Sequence, residues 1–132
     1  MKKISTLVLL GILSVTAIGC GHKKQLLTNP TVTLSQNSSI EETGKVVRNA
    51  LKKRGWTVAE EGSDFVIAKL QKGALFAQIK ITYNAQSAQI THQSSSNLRY
   101  REINGNQYIH AHYNLWVTNL ARDIKEQLTK TQ

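Results

Sequence analysis

The chain has 132 residues, with one Cys, one Pro, two Trp and a formal charge of +9, enough for one small domain but not for a multi-domain machine. A single cysteine cannot pair within the chain, which excludes a disulfide scaffold, and one Cys with four His is too poor a ligand set for a Cys₄ or Cys₂His₂ zinc module.

Met1-Lys2-Lys3 is a short positive start, and Ile4 to Ile18 is an apolar run broken only by Ser, Thr and Gly. Its length suits the hydrophobic region of a signal peptide and falls short of the roughly 20 residues that a spanning helix needs. The junction Ala17-Ile18-Gly19-Cys20 resembles the lipobox of bacterial lipoproteins, with Ala17 where Leu is more usual. That resemblance implies cleavage between Gly19 and Cys20, a diacylglycerol thioether on Cys20 and an N-acyl (palmitate-type) chain. Small residues admit a peptidase, and a thiol is the nucleophile such a modification needs. Gly21, where Asp would retain an enterobacterial lipoprotein in the inner membrane, implies the outer membrane, with the chain facing the periplasm.

Gly21 to Ser38 contains the only proline, Pro30, and shows neither helical nor clean alternating periodicity, so residues 20–38 are expected to be the lipidated cysteine and a flexible tether. Fully extended, such a tether reaches roughly 60 Å. Lys23 and Lys24 would stand just beyond the lipid, where each cation gains about 1 kcal/mol at an anionic surface.

The folded domain is expected over residues 39–132. Ser39-Ile40-Glu41-Glu42 has capping-box spacing, and a helix from Ile40 to Arg54 follows, ended by Gly55. Ile40, Val46, Val47, Ala50 and Leu51 share one side of it, and Lys45, Arg48 and Lys52 the other. Strands are predicted over 56–60, 65–71, 74–83 and 88–92, separated by turns at 61–64, 72–73 and 84–85; Leu75, Ala77, Ile79, Ile81 and Tyr83 make the clearest alternation. Gln93 to Asn106 is polar and long for a hairpin connection, either a mobile loop or an irregular edge strand near Leu98 to Ile103. A final helix is predicted from Gln107 to Thr129, on the stripe Ile109, Tyr113, Trp116, Val117, Leu120, Ile124 and Leu128. One greasy face on each helix and one on the meander close a core only if the helices lie across the sheet. The expected fold is therefore α+β: a two-layer sandwich of order αββββα, with three to four antiparallel strands packed against the two helices.

The ending Ile109-His110-Ala111-His112-Tyr113-Asn114-Leu115-Trp116-Val117-Thr118-Asn119-Leu120-Ala121-Arg122-Asp123-Ile124 has the form Ile-His-x-x-Tyr-Asn-x-Trp-Val-x-Asn-Leu-x-x-x-Ile. With the lipobox, the tether, the first helix and Gly55-Trp56 leading into a meander, it resembles a group of small Gram-negative lipoproteins of uncharacterised function. The resemblance implies a location and a fold, and carries no activity.

His110 and His112 invite a metal reading, but residues two apart on a helix point about 200° away from each other. His92 is the remaining candidate ligand within the domain. No Ser lies in a nucleophile elbow or a Ser-x-x-Lys context, and the only cysteine is taken by lipid, so no enzyme and no cofactor are expected. The basic balance, with a Lys45/Arg48/Lys52 ridge and Arg99-Tyr100-Arg101, is the footprint of a nucleic-acid binder in a cytosolic protein. Export turns it toward anionic envelope surfaces. Tyr108 and Leu115, on the outer face of the expected terminal helix and near the 99–101 loop, form a candidate docking spot, or are covered by that loop. The leading expectation is a lipid-anchored, non-enzymatic envelope protein binding another envelope component, acidic or membrane-bound. The alternatives are a ligand- or metal-binding periplasmic module built on His92 and His110, and an accessory component of a secretion or DNA-transfer system.

Overall fold

A computed structural model describes residues 24–34 and 38–130. The expected signal peptide, the cleavage site at Gly19 and the lipidation site at Cys20 lie outside the described residues. The chain forms β1 (Lys24–Leu26), β2 (Thr31–Thr33), α1 (Ile40–Lys53), β3 (Thr57–Glu61), β4 (Phe65–Lys72), β5 (Leu75–Tyr83), β6 (Ser87–Ser96), β7 (Arg101–Ile103), β8 (Asn106–His110) and α2 (Ala111–Lys130). Two antiparallel sheets result, one of order β2-β6-β5-β4-β3 and one of order β1-β8-β7. With the two helices they make an α+β sandwich, as the hydrophobic patterning predicts.

Local chemistry sets the ends of α1. The Ser39 Oγ accepts from the Glu42 N–H at 3.1 Å, and the Glu42 carboxylate accepts from the Ser39 N–H at 3.2 Å, completing the capping box. Gly55, at φ 81°, takes the left-handed conformation that turns the chain out of the helix. On the meander, Val66, Ala68, Leu70, Ala77, Ile79, Ile81, Tyr83, Ala88 and Ile90 point inward, and α1 and α2 cover them with Val46, Val47, Ala50, Leu51, Tyr113, Val117, Leu120, Ile124 and Leu128. Each fully buried Ile or Leu contributes about 1.5–3 kcal/mol of transfer free energy. Among the described residues no helix is long and apolar enough to cross a membrane.

Three expectations are corrected. Residues 24–34, expected to be tether, carry two strands: β1 pairs with β8, and β2 with β6. A three-residue strand leaves almost no periodic signature, and these two are held by partners more than 50 residues away in sequence. The strands are therefore eight among the described residues, rather than three or four. Finally, α2 starts at Ala111, not Gln107, because Asn104 (φ 51°) and Gly105 (φ 80°) form the two-residue loop of a hairpin between β7 and β8. Ile109 is four residues before Tyr113 and suits a helical stripe, but it is buried from a strand.

The stretch from Gln93 to Asn106 is ordered by its one apolar anchor. β6 runs on to Ser96, Leu98 is fully buried, its carbonyl accepts from the His110 N–H at 2.8 Å, and the Asn97 amide donates to the Ala74 carbonyl at 2.8 Å. Asn97 and Arg99 flank Leu98 at φ 60° and 55°, which turns the chain from the larger sheet into the smaller one.

Candidate functional site

The pairing register of the three-stranded sheet decides which side chains share a face. Leu26 stands opposite Tyr108, Arg101 opposite Tyr108 on its other side, and Ile103 opposite Asn106. Side chains alternate along a strand, so Leu26, Tyr108, Arg101 and Ile103 lie on one face, and Gln25, Ile109, Gln107 and Glu102 on the other. The second face is turned to the core at Ile109. The first is open: Leu26 is 60% and Ile103 40% exposed, Arg101 is exposed and Tyr108 half-buried.

Leu26 also rims a shallow groove of about 540 Å³ between β1 and α2, whose other rim includes Leu115, itself 55% exposed. Tyr108 and Leu115, expected together on one helix face, are instead on a strand and a helix. Leu26 links them, facing Tyr108 across the ladder and Leu115 across the groove. Neither Leu26 nor Ile103 was legible as part of this face. A Lys-Gln-Leu strand is too short to show alternation, and Ile103 becomes exposed only because the Asn104-Gly105 hairpin sets its parity.

Asn114 fastens this face to the domain. Its Oδ1 accepts from the Thr28 N–H at 2.9 Å, and its Nδ2 donates to the Leu26 carbonyl at 2.8 Å and to Gln25 Oε1 at 3.2 Å. The side chain is 9% exposed and spans more than 80 residues of sequence.

The other candidates are distributed elsewhere. Tyr100 is turned away from Arg101: its ring stacks on His92 at 4.8 Å, and its hydroxyl donates to Glu102 Oε1 at 3.1 Å while accepting from Gln107 Nε2 at 3.0 Å. Arg99 is exposed beside it. Lys45 and Lys52 are exposed on α1, and Arg48, half-buried, lines a separate hollow with Glu41, Gly44, Ser63 and Tyr83. Because α1 packs on α2, β3, β4 and β5, this ridge belongs to a different part of the surface from Arg101.

For the histidines, the strand-to-helix junction changes the geometry. His110 ends β8 and His112 lies in the first turn of α2, so their rings approach to 4.5 Å between centroids instead of diverging. The His110 Nδ1 accepts from the His112 N–H at 3.1 Å, so that nitrogen is engaged in starting α2. His92 is held apart from them, stacked on Tyr100, edge-on to Tyr113 at 5.2 Å and within 3.0 Å of the Ser95 hydroxyl through Nε2. Burial pushes its pKa below the ordinary value. Among the described residues no group of three His, Cys, Asp or Glu side chains is placed to hold a metal ion.

One ion pair was hidden in the sequence. Arg54, just past the end of α1, donates through Nε to Asp123 Oδ2 at 2.5 Å and through Nη2 to Oδ1 at 3.0 Å, clamping α1 to α2. The hydrogen bond and charge of Arg54 hold the Asp123 carboxyl below the usual carboxylate range. Both residues lie in polar stretches that read as surface, 69 positions apart.

Comparison with protein-family models, curated proteins and solved structures finds no match to this chain.

Proposed function

We propose that this protein is a lipid-anchored, non-enzymatic component of a bacterial cell envelope, attached through Cys20 after removal of residues 1–19, facing the periplasm from the outer membrane, and binding another envelope component. The observation that carries the reading is the position of Cys20. The only cysteine of the chain directly follows Ala17-Ile18-Gly19, at the end of an apolar run too short to span a bilayer. The resemblance of the ending from Ile109 to Ile124 to small Gram-negative lipoproteins points the same way. Losing Lys2 and Lys3 with the signal leaves a formal charge of 9 − 2 = +7, which favours anionic envelope surfaces as partners.

A binding rather than catalytic role is supported by how the fold uses its polar side chains. Asp123 is committed to Arg54, Asn114 to the N-terminal segment, and His92 to two aromatic rings and Ser95. The test is Cys20→Ser in the full-length protein, followed by acyl labelling and membrane fractionation. The variant is expected to lose the label and leave the membrane fraction, and retention of both overturns the proposal. In vivo crosslinking of the anchored protein would then identify its partner.

A further inference from the structure

We infer that the open face of the three-stranded sheet, carrying Leu26, Tyr108, Arg101 and Ile103, together with Leu115, rests on the anionic phospholipid surface in which Cys20 is anchored. This rests on the proposed lipidation of Cys20 and adds to it an orientation and a contact surface.

Only Gly21, His22 and Lys23 separate Cys20 from β1. Four Cα steps, from Cys20 to Lys24, span at most roughly 14 Å even when fully extended. A domain of about 100 residues has a radius of gyration near 13 Å. The spacer is thus no longer than the body it holds, so the domain cannot stand clear of the bilayer. The roughly 60 Å reach of an eighteen-residue tether does not apply, because β1 is paired to β8 along its length and Asn114 pins the residues that follow.

Which face meets the lipid follows from parity. β1 is an edge strand of the smaller sheet, and its one exposed large apolar side chain, Leu26, lies with Tyr108, Arg101 and Ile103. The acidic residue of that sheet, Glu102, has the opposite parity, and its carboxylate is held by Tyr100. The outward face therefore presents apolar and aromatic groups with a cation among them and no carboxylate among its described side chains, and Lys23 and Lys24 are adjacent in the sequence. Apolar side chains that enter the headgroup layer, with cations beside the phosphates, are the composition of an interfacial membrane contact. Leu26, Ile103 and Leu115 are the three most exposed large hydrophobic side chains among the described residues, and the first two share this face while the third stands across the groove from Leu26.

The experiment uses the full-length lipidated protein in vesicles of phosphatidylcholine with roughly a third phosphatidylglycerol, and in pure phosphatidylcholine. Lipidation consumes the thiol of Cys20, so one introduced cysteine gives one labelling site. Leu26→Cys, Ile103→Cys and Leu115→Cys, all at exposed positions outside the core, are compared with Lys45→Cys on α1 and Thr91→Cys on the exposed side of β6. Each carries an environment-sensitive fluorophore. At 26, 103 and 115 a headgroup spin label is expected to quench the signal and an aqueous quencher to lose access, with the reverse at 45 and 91. Arg101→Glu is expected to weaken the contact in anionic vesicles and leave it unchanged in neutral ones. Five anchored labels that respond alike overturn the inference while leaving the anchor standing. Protection at 26, 103 and 115 in the native envelope but not in vesicles also overturns it, in favour of a protein partner. A protein that takes up no acyl label and does not float with vesicles overturns the anchoring itself, and the inference with it.

Discussion

Replacing Asn114 with alanine tests whether the N-terminal segment belongs to the domain. The substitution removes three hydrogen bonds, from Thr28 N–H, to Leu26 C=O and to Gln25 Oε1. Two of the lost partners are backbone groups, and an orphaned buried backbone group costs about 1–3 kcal/mol. Here both sit beside an open groove where water can replace part of the loss, so the expected penalty is about 2 kcal/mol for the pair. What remains to hold the segment is the three-residue ladder of β1 with β8, the bond from Leu27 N–H to the Gln107 carbonyl at 2.8 Å and the packing of Leu27 against the core. The penalty should therefore appear as local opening of 24–28 before it appears as global unfolding. Hydrogen exchange at the amides of Leu26 to Thr28 is expected to speed up by about 30-fold, the equivalent of 2 kcal/mol, with β4 and β5 unaffected. Exchange within about twofold of the parent would refute the reasoning, showing that these restraints hold the segment without Asn114. With Cys20 lipidated as proposed, the same variant should open residues 24–28 more often and loosen the contact inferred at Leu115.

Two further expectations concern stability. Gly44 lies inside α1, where alanine normally gains about 1 kcal/mol, but a Cβ there would stand 2.7 Å from the Tyr83 hydroxyl. Gly44→Ala should lower the melting temperature, and Tyr83→Phe in the same chain should recover part of the loss; a single variant at or above the parent would show that Tyr83 moves aside freely. The acid response should have two stages with the same sign. His92, whose pKa is lowered by burial from an ordinary 6.5, contributes stability in full above that value and loses it as pH falls toward the lower folded pKa, because only the unfolded chain then takes up the proton. Asp123, lowered chiefly by its hydrogen bond to Arg54 from an ordinary 3.8, loses its contribution below that value. Thermal unfolding across pH should decline first below about 6.5 and again below about 4, and His92→Gln should remove the first stage. A melting temperature unchanged between about pH 7 and pH 5 in the parent would refute the assignment to His92.

What sequence alone determined is the part of the protein built from contacts close along the chain. The capping box at Ser39, the left-handed stop at Gly55, the alternation from Leu75 to Tyr83 and the stripe from Tyr113 to Leu128 each encode an element within a few turns or pleats, and together they require an α+β sandwich. The proposed lipidation signal ending at Cys20 is likewise local in sequence. Tertiary structure decided everything that depends on distant partners. β1 and β2 have no periodicity of their own and exist because β8 and β6 offer free edges and Asn114 offers a polar hook. The residues from Tyr108 to His110 fit a helix and a strand equally well, and the Asn104-Gly105 hairpin settles the choice, bringing His110 and His112 together and Tyr108 beside Leu26. Arg54 and Asp123 could not be paired before α1 and α2 were packed. The candidate surface was therefore half legible: Arg101, Tyr108 and Leu115 could be named in advance, but the face they share is set by strand register, a property of two chain segments and not of either one.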